Sequence, residues 1–261
     1  MNKTGICCQA YIPMRKEPDE TSEMVSQVLF GESFVRLEEN KLKNFSLIRL
    51  DHDNYEGWIN TSCIHFLSEK ELEHINTLPC ILTHEVLNAL RQADTMVPTI
   101  IGCGSKIRVY SPGKTKIGQV EYSLPLNLEV NTQKKRETMV GFGMKLLSVP
   151  YLWGGRSSFG FDCSGLCQNL YQQLGIQIAR DASMQASMGT SVSFIEEAMP
   201  GDLAFFDNEE GKIIHVGMIL DGGKILHASG RVKIDQVDHQ GIFSTERNCY
   251  THKLRLIKKL I

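Results

Sequence analysis

Apolar and polar positions alternate in short runs between residues 24 and 68, in MVSQVLFGESFVRLEE and FSLIRLDHDNYEGWINTSCIHFL, with Gly31, Asp51, Asn54 and Gly57 as turn signals. About five strands in roughly 60 residues predict a small barrel over 1–68 rather than an open sheet. Leu72, Ile75 and Leu78 then fall at helical spacing, which predicts a linker helix over 69–90 with Pro79 as its candidate break. Strand character returns over 91–133, where Ser111-Pro112-Gly113 is a turn. Here Ile100-Ile101 followed by Gly104 to Val109 echoes Val28-Leu29 followed by Gly31 to Leu37. Two readings stand: a degenerate second barrel, or an unrelated hairpin region of similar composition.

From Lys134 the period changes, and Met139, Phe142, Leu146 and Leu147 share one helical face before Pro150. A Gly-rich loop, a second helix over about 163–174 closed by Gly175, and strands from 202 to 237 complete the domain assigned to 134–261. Helices followed by an antiparallel sheet make this part α+β.

Composition narrows the function classes. Lys plus Arg number 28 and Asp plus Glu 30, a net charge of −2, so no bulk field draws nucleic acid or an anionic membrane. The first 20 residues hold no apolar signal core and no run approaches a membrane span, so a cytosolic location is expected. In that setting the eight cysteines, at 7, 8, 63, 80, 103, 163, 167 and 249, read as reduced thiols.

One cysteine stands apart. Leu166, Leu170 and Leu174 form a buried stripe that begins just after Cys163, with Asp162 as N-cap. The positive end of the helix dipole favours a thiolate there, which predicts an activated nucleophile. Cys167 lies within the stripe and reads as inert core. A base is offered by His215 and His227, which flank Asp221-Gly222-Gly223 in one predicted hairpin. A loop with an odd number of residues puts both rings on one face, where His227 fixes the tautomer of His215. The zinc alternative, Cys163, Cys167, His215 and His227 as ligands, is weakened by the place of Cys167 in the apolar stripe. Gly154-Gly155-Arg156 lacks the pattern of a phosphate loop. Neither a metal nor a cofactor is expected.

Six blocks in order, Tyr151-Leu152-Trp153-Gly154-Gly155, Phe161 to Leu166, Arg180 to Gln185, Pro200 to Phe206, His215 to Met218 and His227-Ala228-Ser229, resemble the NlpC/P60 family of bacterial cell-wall cysteine peptidases. The resemblance implies a papain-like α+β catalytic domain in which Cys163, His215 and His227 are the triad. It also implies oxyanion contacts from the Cys163 backbone N–H and the Tyr151 hydroxyl. Tyr55-Glu56-Gly57-Trp58-Ile59 is similar to the closing strand of bacterial SH3-like barrels, so two such barrels are expected ahead of the catalytic domain. That arrangement resembles the γ-D-glutamyl-L-diamino acid endopeptidases, of the dipeptidyl-peptidase VI type, which recycle murein peptides with a free N-terminal L-Ala.

Such a substrate needs a carboxylate for its ammonium: Asp162 first, with Glu20, Glu23 and the Tyr55 hydroxyl behind it. For the α-carboxylate of D-Glu the candidate donors are Arg180, Ser164 and Ser183. Trp153 completes the expected substrate contacts. Each has a structural alternative, Asp162 as a cap, Arg180 as the partner of a nearby acid and Tyr55 as barrel core. An exported hydrolase of intact stem peptides and a non-catalytic murein-peptide-binding protein are the competing functions. The diamino acid, the oligomeric state and the roles of Cys7, Cys8 and 184–199 are not legible.

Overall fold

A computed structural model describes residues 3–124 and 135–261. The chain divides into two compact units, Met1–Thr132 and Gln133–Ile261. The part of the second barrel assigned to 125–133 and the domain start at Lys134 lie outside the described residues.

Among the described residues, the first unit holds a seven-stranded and a six-stranded antiparallel sheet. The first spans the strands from Lys3–Ile6 to His65–Phe66 around Ile12, Met14, Val28, Phe34, Ile48, Leu50 and Ile59. Ile6 and Phe30 instead join Leu90, Ile101, Ile107, Ile117 and Tyr122 of the second sheet in a shared core. At this seam Gly31 has φ +75°, and a Cβ there would lie 1.7 Å from the Lys106 carbonyl oxygen. Glycine is required for both reasons. Gly104 occupies the same place between strands Pro98–Gly102 and Lys106–Ser111, with φ +82°, as Gly31 does between Met24–Leu29 and Ser33–Asn40.

The linker differs from the expectation. Helix α1 is confined to Glu69–Thr77, opened by a capping box between Ser68 and Glu71. Pro79 holds Leu78 extended, at φ −81° and ψ 144°, which ends the helix. Residues Cys80–Leu82 and Leu87–Gln92 are strands of the second sheet, so that sheet begins about ten residues before the predicted 91.

In the second unit, helix α2 (Arg136–Lys145) buries Met139 and Phe142, and Leu146 caps it. Leu147 is exposed, because the helix ends before it. Helix α3 (Cys163–Gln172) buries its stripe, and a short α4 (Ala182–Gln185) follows. The sheet runs Thr190–Val192, Cys249–Lys259, Leu203–Asp207, Ile213–Leu220, Lys224–Ser229, Arg231–Val237, Gly241–Ser244. Cys249–Lys259 also pairs with Gly241–Ser244, so the sheet closes on itself as a barrel. One strand face packs against helices: a Cβ on Gly143 of α2 would touch Leu226, Leu170 and Met218. The other face, with Phe206, Ile219, Ile225, Val237, Ile242 and Ile257, fills the barrel. Among the described residues no helix is long and apolar enough to cross a membrane.

Candidate active site

The site forms where the N-terminus of α3 meets the strand Ile213–Leu220. Asp162 is extended at φ −87° and ψ 176° and caps α3 by accepting the Gly165 N–H at 2.6 Å. Cys163 is the first helical residue and is buried. Its sulphur accepts backbone hydrogen bonds from Val216, the residue after His215, and from Ser164. Gly165 lets the start of α3 pack on the Gly-rich loop, since a Cβ there would lie 2.1 Å from the Gly155 carbonyl oxygen.

Electrostatics at the sulphur differ from the expected thiolate. Burial pushes the Cys163 thiol up to about 11, and the Asp162 charge adds to the rise, against the backbone N–H groups and Arg180. The helix end acts through partial charges and is outweighed by desolvation of a full one. Burial therefore favours the neutral thiol at Cys163. Cys167 is fully buried one turn on, and burial raises its thiol well above the ordinary value.

The hairpin loop has three residues, because Leu220 pairs with Lys224. His215 and His227 consequently lie on one strand face, and His215 Nε2 is 2.9 Å from His227 Nδ1. Gly217 makes room for this, as a Cβ there would come within 2.9 Å of His227 Cβ. Three further residues, unforeseen in the sequence, complete the cluster. His227 Nε2 is 3.1 Å from Asp235 Oδ2, and Lys233 Nζ is 2.9 Å from the same oxygen. His252 stacks on His215 with ring centroids 4.2 Å apart and planes at 25°. The signal for Asp235 was available: with His227 opposite Lys233, residue 235 is the diagonal neighbour on the same face. His252 is delivered by barrel closure, which no local pattern reveals.

Burial holds His215 well below the usual imidazole range, with His252 and His227 adding to the effect, and His227 is lowered by burial against the pull of Asp235. The unfolded chain protonates both rings near pH 6.5 while the folded chain does not, so their stabilisation is complete above that pH and is lost as pH falls below it. Each ring contributes a slope of up to about 1.4 kcal/mol per pH unit. Calorimetry from pH 7.5 to 5 should show a falling Tm, less steep in His227→Gln. A Tm independent of pH would contradict two buried neutral imidazoles.

The residues expected to contact substrate have the following partners in the structure. Arg180, 2% exposed, places both terminal nitrogens on the Asp162 carboxylate, and its Nη1 also donates to Ser164 Oγ at 3.0 Å. Asp162 further accepts the Gly154 N–H at 3.0 Å and the Ser164 hydroxyl at 3.3 Å. Asp162 is thus both the cap of α3 and the counter-ion of Arg180. Arg180 and Ser164 are correspondingly drawn inward. Ser183 lies exposed on α4 and Trp153 is 60% exposed. Burial, followed by the nearby Cys163 and Asp162, raises the Tyr151 hydroxyl and keeps it a donor. Glu20, Glu23 and Tyr55 belong to the first unit. There Glu20 accepts from Asn60 Nδ2 at 2.9 Å, Glu23 pairs with Lys16 at 3.4 Å, and Tyr55 packs on the barrel core.

The model of the NlpC/P60 family matches residues 148–249, and that of the bacterial dipeptidyl-peptidase Sh3 domain matches 14–64. The gamma-D-glutamyl-L-lysine dipeptidyl-peptidase of Bacillus subtilis (strain 168) is 32% identical over 222 residues, which cover 78% of this chain and 71% of that protein. Dipeptidyl-peptidase 6 of Lysinibacillus sphaericus is 26% identical over 246 residues, covering 86% and 88%. In fold, an NlpC/P60 family protein from Bacillus cereus ATCC 10987 matches 98% of this chain and 99% of its own, with a TM-score of 0.84 at 17% identity.

Proposed function

The chain belongs to the NlpC/P60 family, and from that premise we propose that it is a cysteine peptidase that hydrolyses the γ-D-glutamyl-L-diamino acid bond of murein peptides with a free N-terminal L-Ala, releasing L-Ala-γ-D-Glu for recycling. The observation that carries this reading is the cap-held Cys163 sulphur against the residue following His215, with His215 hydrogen-bonded to His227. The bond and the substrate end are drawn from the relatives named dipeptidyl-peptidases.

Burial raises the thiol and lowers the imidazole, which favours the neutral pair before attack. As the Cys163 sulphur bonds to the γ-carbonyl carbon, His215 takes the thiol proton. The oxyanion accepts from the Cys163 backbone N–H and the Tyr151 hydroxyl, donors of a kind typically worth about 3 kcal/mol each. The imidazolium then protonates the departing diamino-acid nitrogen as the C–N bond breaks. Water, deprotonated by His215, adds to the thioester and releases the dipeptide with the thiol restored.

Cytosolic action forms part of the proposal. All eight cysteines lie among the described residues as thiols, which suits a reducing compartment. Cell fractionation tests it, and recovery of the protein outside the membrane would contradict it.

The reaction itself is tested with L-Ala-γ-D-Glu-L-Lys, its diaminopimelate counterpart and an N-acetylated version of each. Release of L-Ala-γ-D-Glu from the free peptides, with at least a hundredfold loss on acetylation, is the expected result. Equal cleavage of free and acetylated peptides would contradict the recycling role and favour an enzyme acting on intact stems.

A further inference from the structure

We propose that Asp235 is a positioning residue that fixes the proton positions of both histidines through its hydrogen bond to His227, leaving Nδ1 of His215 as the basic nitrogen. The inference rests on the functional reading above for its kinetic consequence, though not for its geometry. Asp235 is 4% exposed and lies on the strand next to His227, its Oδ2 3.1 Å from His227 Nε2 and 2.9 Å from Lys233 Nζ. The hydrogen bond from His227, opposed by burial and aided by Lys233, pulls its carboxyl down to about 2. It is therefore ionised at any physiological pH and can only accept.

The rest follows by counting donors. A carboxylate that only accepts requires the proton of neutral His227 to sit on Nε2. His227 Nδ1 is then a lone pair, and the ring nitrogen 2.9 Å away, His215 Nε2, must donate to it. Neutral His215 carries one ring proton, so its Nδ1 is left as the acceptor. His252, stacked on the His215 ring, opposes a ring flip that would exchange the two nitrogens. The charged and titratable groups facing Asp235 are His227, Lys233, His252 and Glu246, the last also 3.7 Å from Lys233. Lys233, opposite His227 on the neighbouring strand, balances the carboxylate.

Replacement by Leu removes the acceptor, whereas an Asn amide oxygen in the place of Oδ2 would go on accepting from both His227 and Lys233. Nothing then holds the His227 proton on Nε2, and a proton on Nδ1 puts the His215 proton on the nitrogen that should be basic. The expected loss in kcat is about 10³- to 10⁴-fold with KM within twofold, as for a base held in the wrong tautomer.

The test pairs kinetics on L-Ala-γ-D-Glu-L-Lys with long-range ¹H–¹⁵N NMR of the imidazoles in the full chain. Wild type should show protonated Nε2 and unprotonated Nδ1 on both His215 and His227. D235L should lose this pattern on both rings and lose kcat. Wild-type rings in the opposite tautomer, or D235L within threefold of wild type, would each overturn the proposal. The wild-type spectrum decides the question even if D235L does not fold. It also separates the two claims, since a protein that leaves the peptide uncut refutes the functional reading while its tautomers still judge Asp235.

Discussion

Cys163→Ala is expected to abolish hydrolysis of L-Ala-γ-D-Glu-L-Lys, with a fall in kcat on the order of 10⁶-fold, while the protein stays folded. The size of the loss follows from the route. Without the sulphur no thioester forms, and the oxyanion donors and His215 retain only weak assistance to direct attack by water. Folding survives because the change deletes one buried atom and leaves Asp162, which caps α3, in place. Cys167→Ala is the control: its sulphur lies in the core, so kcat should stay near wild type and stability fall by about 1–2 kcal/mol. Hydrolysis kinetics and calorimetry on the two variants check both statements. Full activity in Cys163→Ala, or equal inactivation by both substitutions, would remove Cys163 from the mechanism.

Arg180→Met should have the largest effect on stability in the second unit. It leaves the Asp162 carboxylate buried with backbone N–H groups and one hydroxyl but no cation. Breaking such a pair from one side costs about 3–5 kcal/mol, or roughly 10–20 °C in Tm for a unit of this size. Removing both charges in Arg180→Met with Asp162→Asn should recover part of that loss, because neither partner is then stranded. The same ion pair bears on chemistry, since Asp162 raises the Cys163 thiol and Arg180 lowers it. Arg180→Met should therefore also make Cys163 less reactive toward iodoacetamide at pH 8. A Tm within 2 °C of wild type would show that the pair is solvated and the account of the α3 terminus wrong.

Much of the fold was legible because its cues are local. The cap at Asp162 and the stripe from Leu166 to Leu174 announce α3, and the three residues Asp221 to Gly223 set the parity that brings His215 to His227. Helical spacing at 72, 75 and 78 misled beyond Pro79, because residues 80–92 are recruited by a sheet whose other strands lie up to 30 residues further on. The Arg180–Asp162 pair joins positions 18 apart across α3 and the segment after it, and His252 reaches His215 only when the barrel closes. The rise of the Cys163 thiol is not legible for a related reason: a helix terminus can be read from sequence, whereas the desolvation opposing it depends on everything packed around the sulphur. The NlpC/P60 fold with an N-terminal SH3 domain was legible from motifs, and the hydrogen-bonded series behind His215 became visible only in three dimensions.

The central claim is covalent catalysis at Cys163 on the γ-D-glutamyl carbonyl, and trapping the acyl-enzyme tests it most directly. An aryl γ-ester of L-Ala-D-Glu has a leaving group good enough to make deacylation the slow step. Acid quench in the first turnover, digestion and mass spectrometry should place L-Ala-γ-D-Glu on the Cys163 sulphur as a hydroxylamine-labile thioester that Cys163→Ala does not form. Stoichiometric release of the aryl alcohol with unmodified Cys163 in the quenched wild-type enzyme, or the acyl group on any other residue, would contradict it.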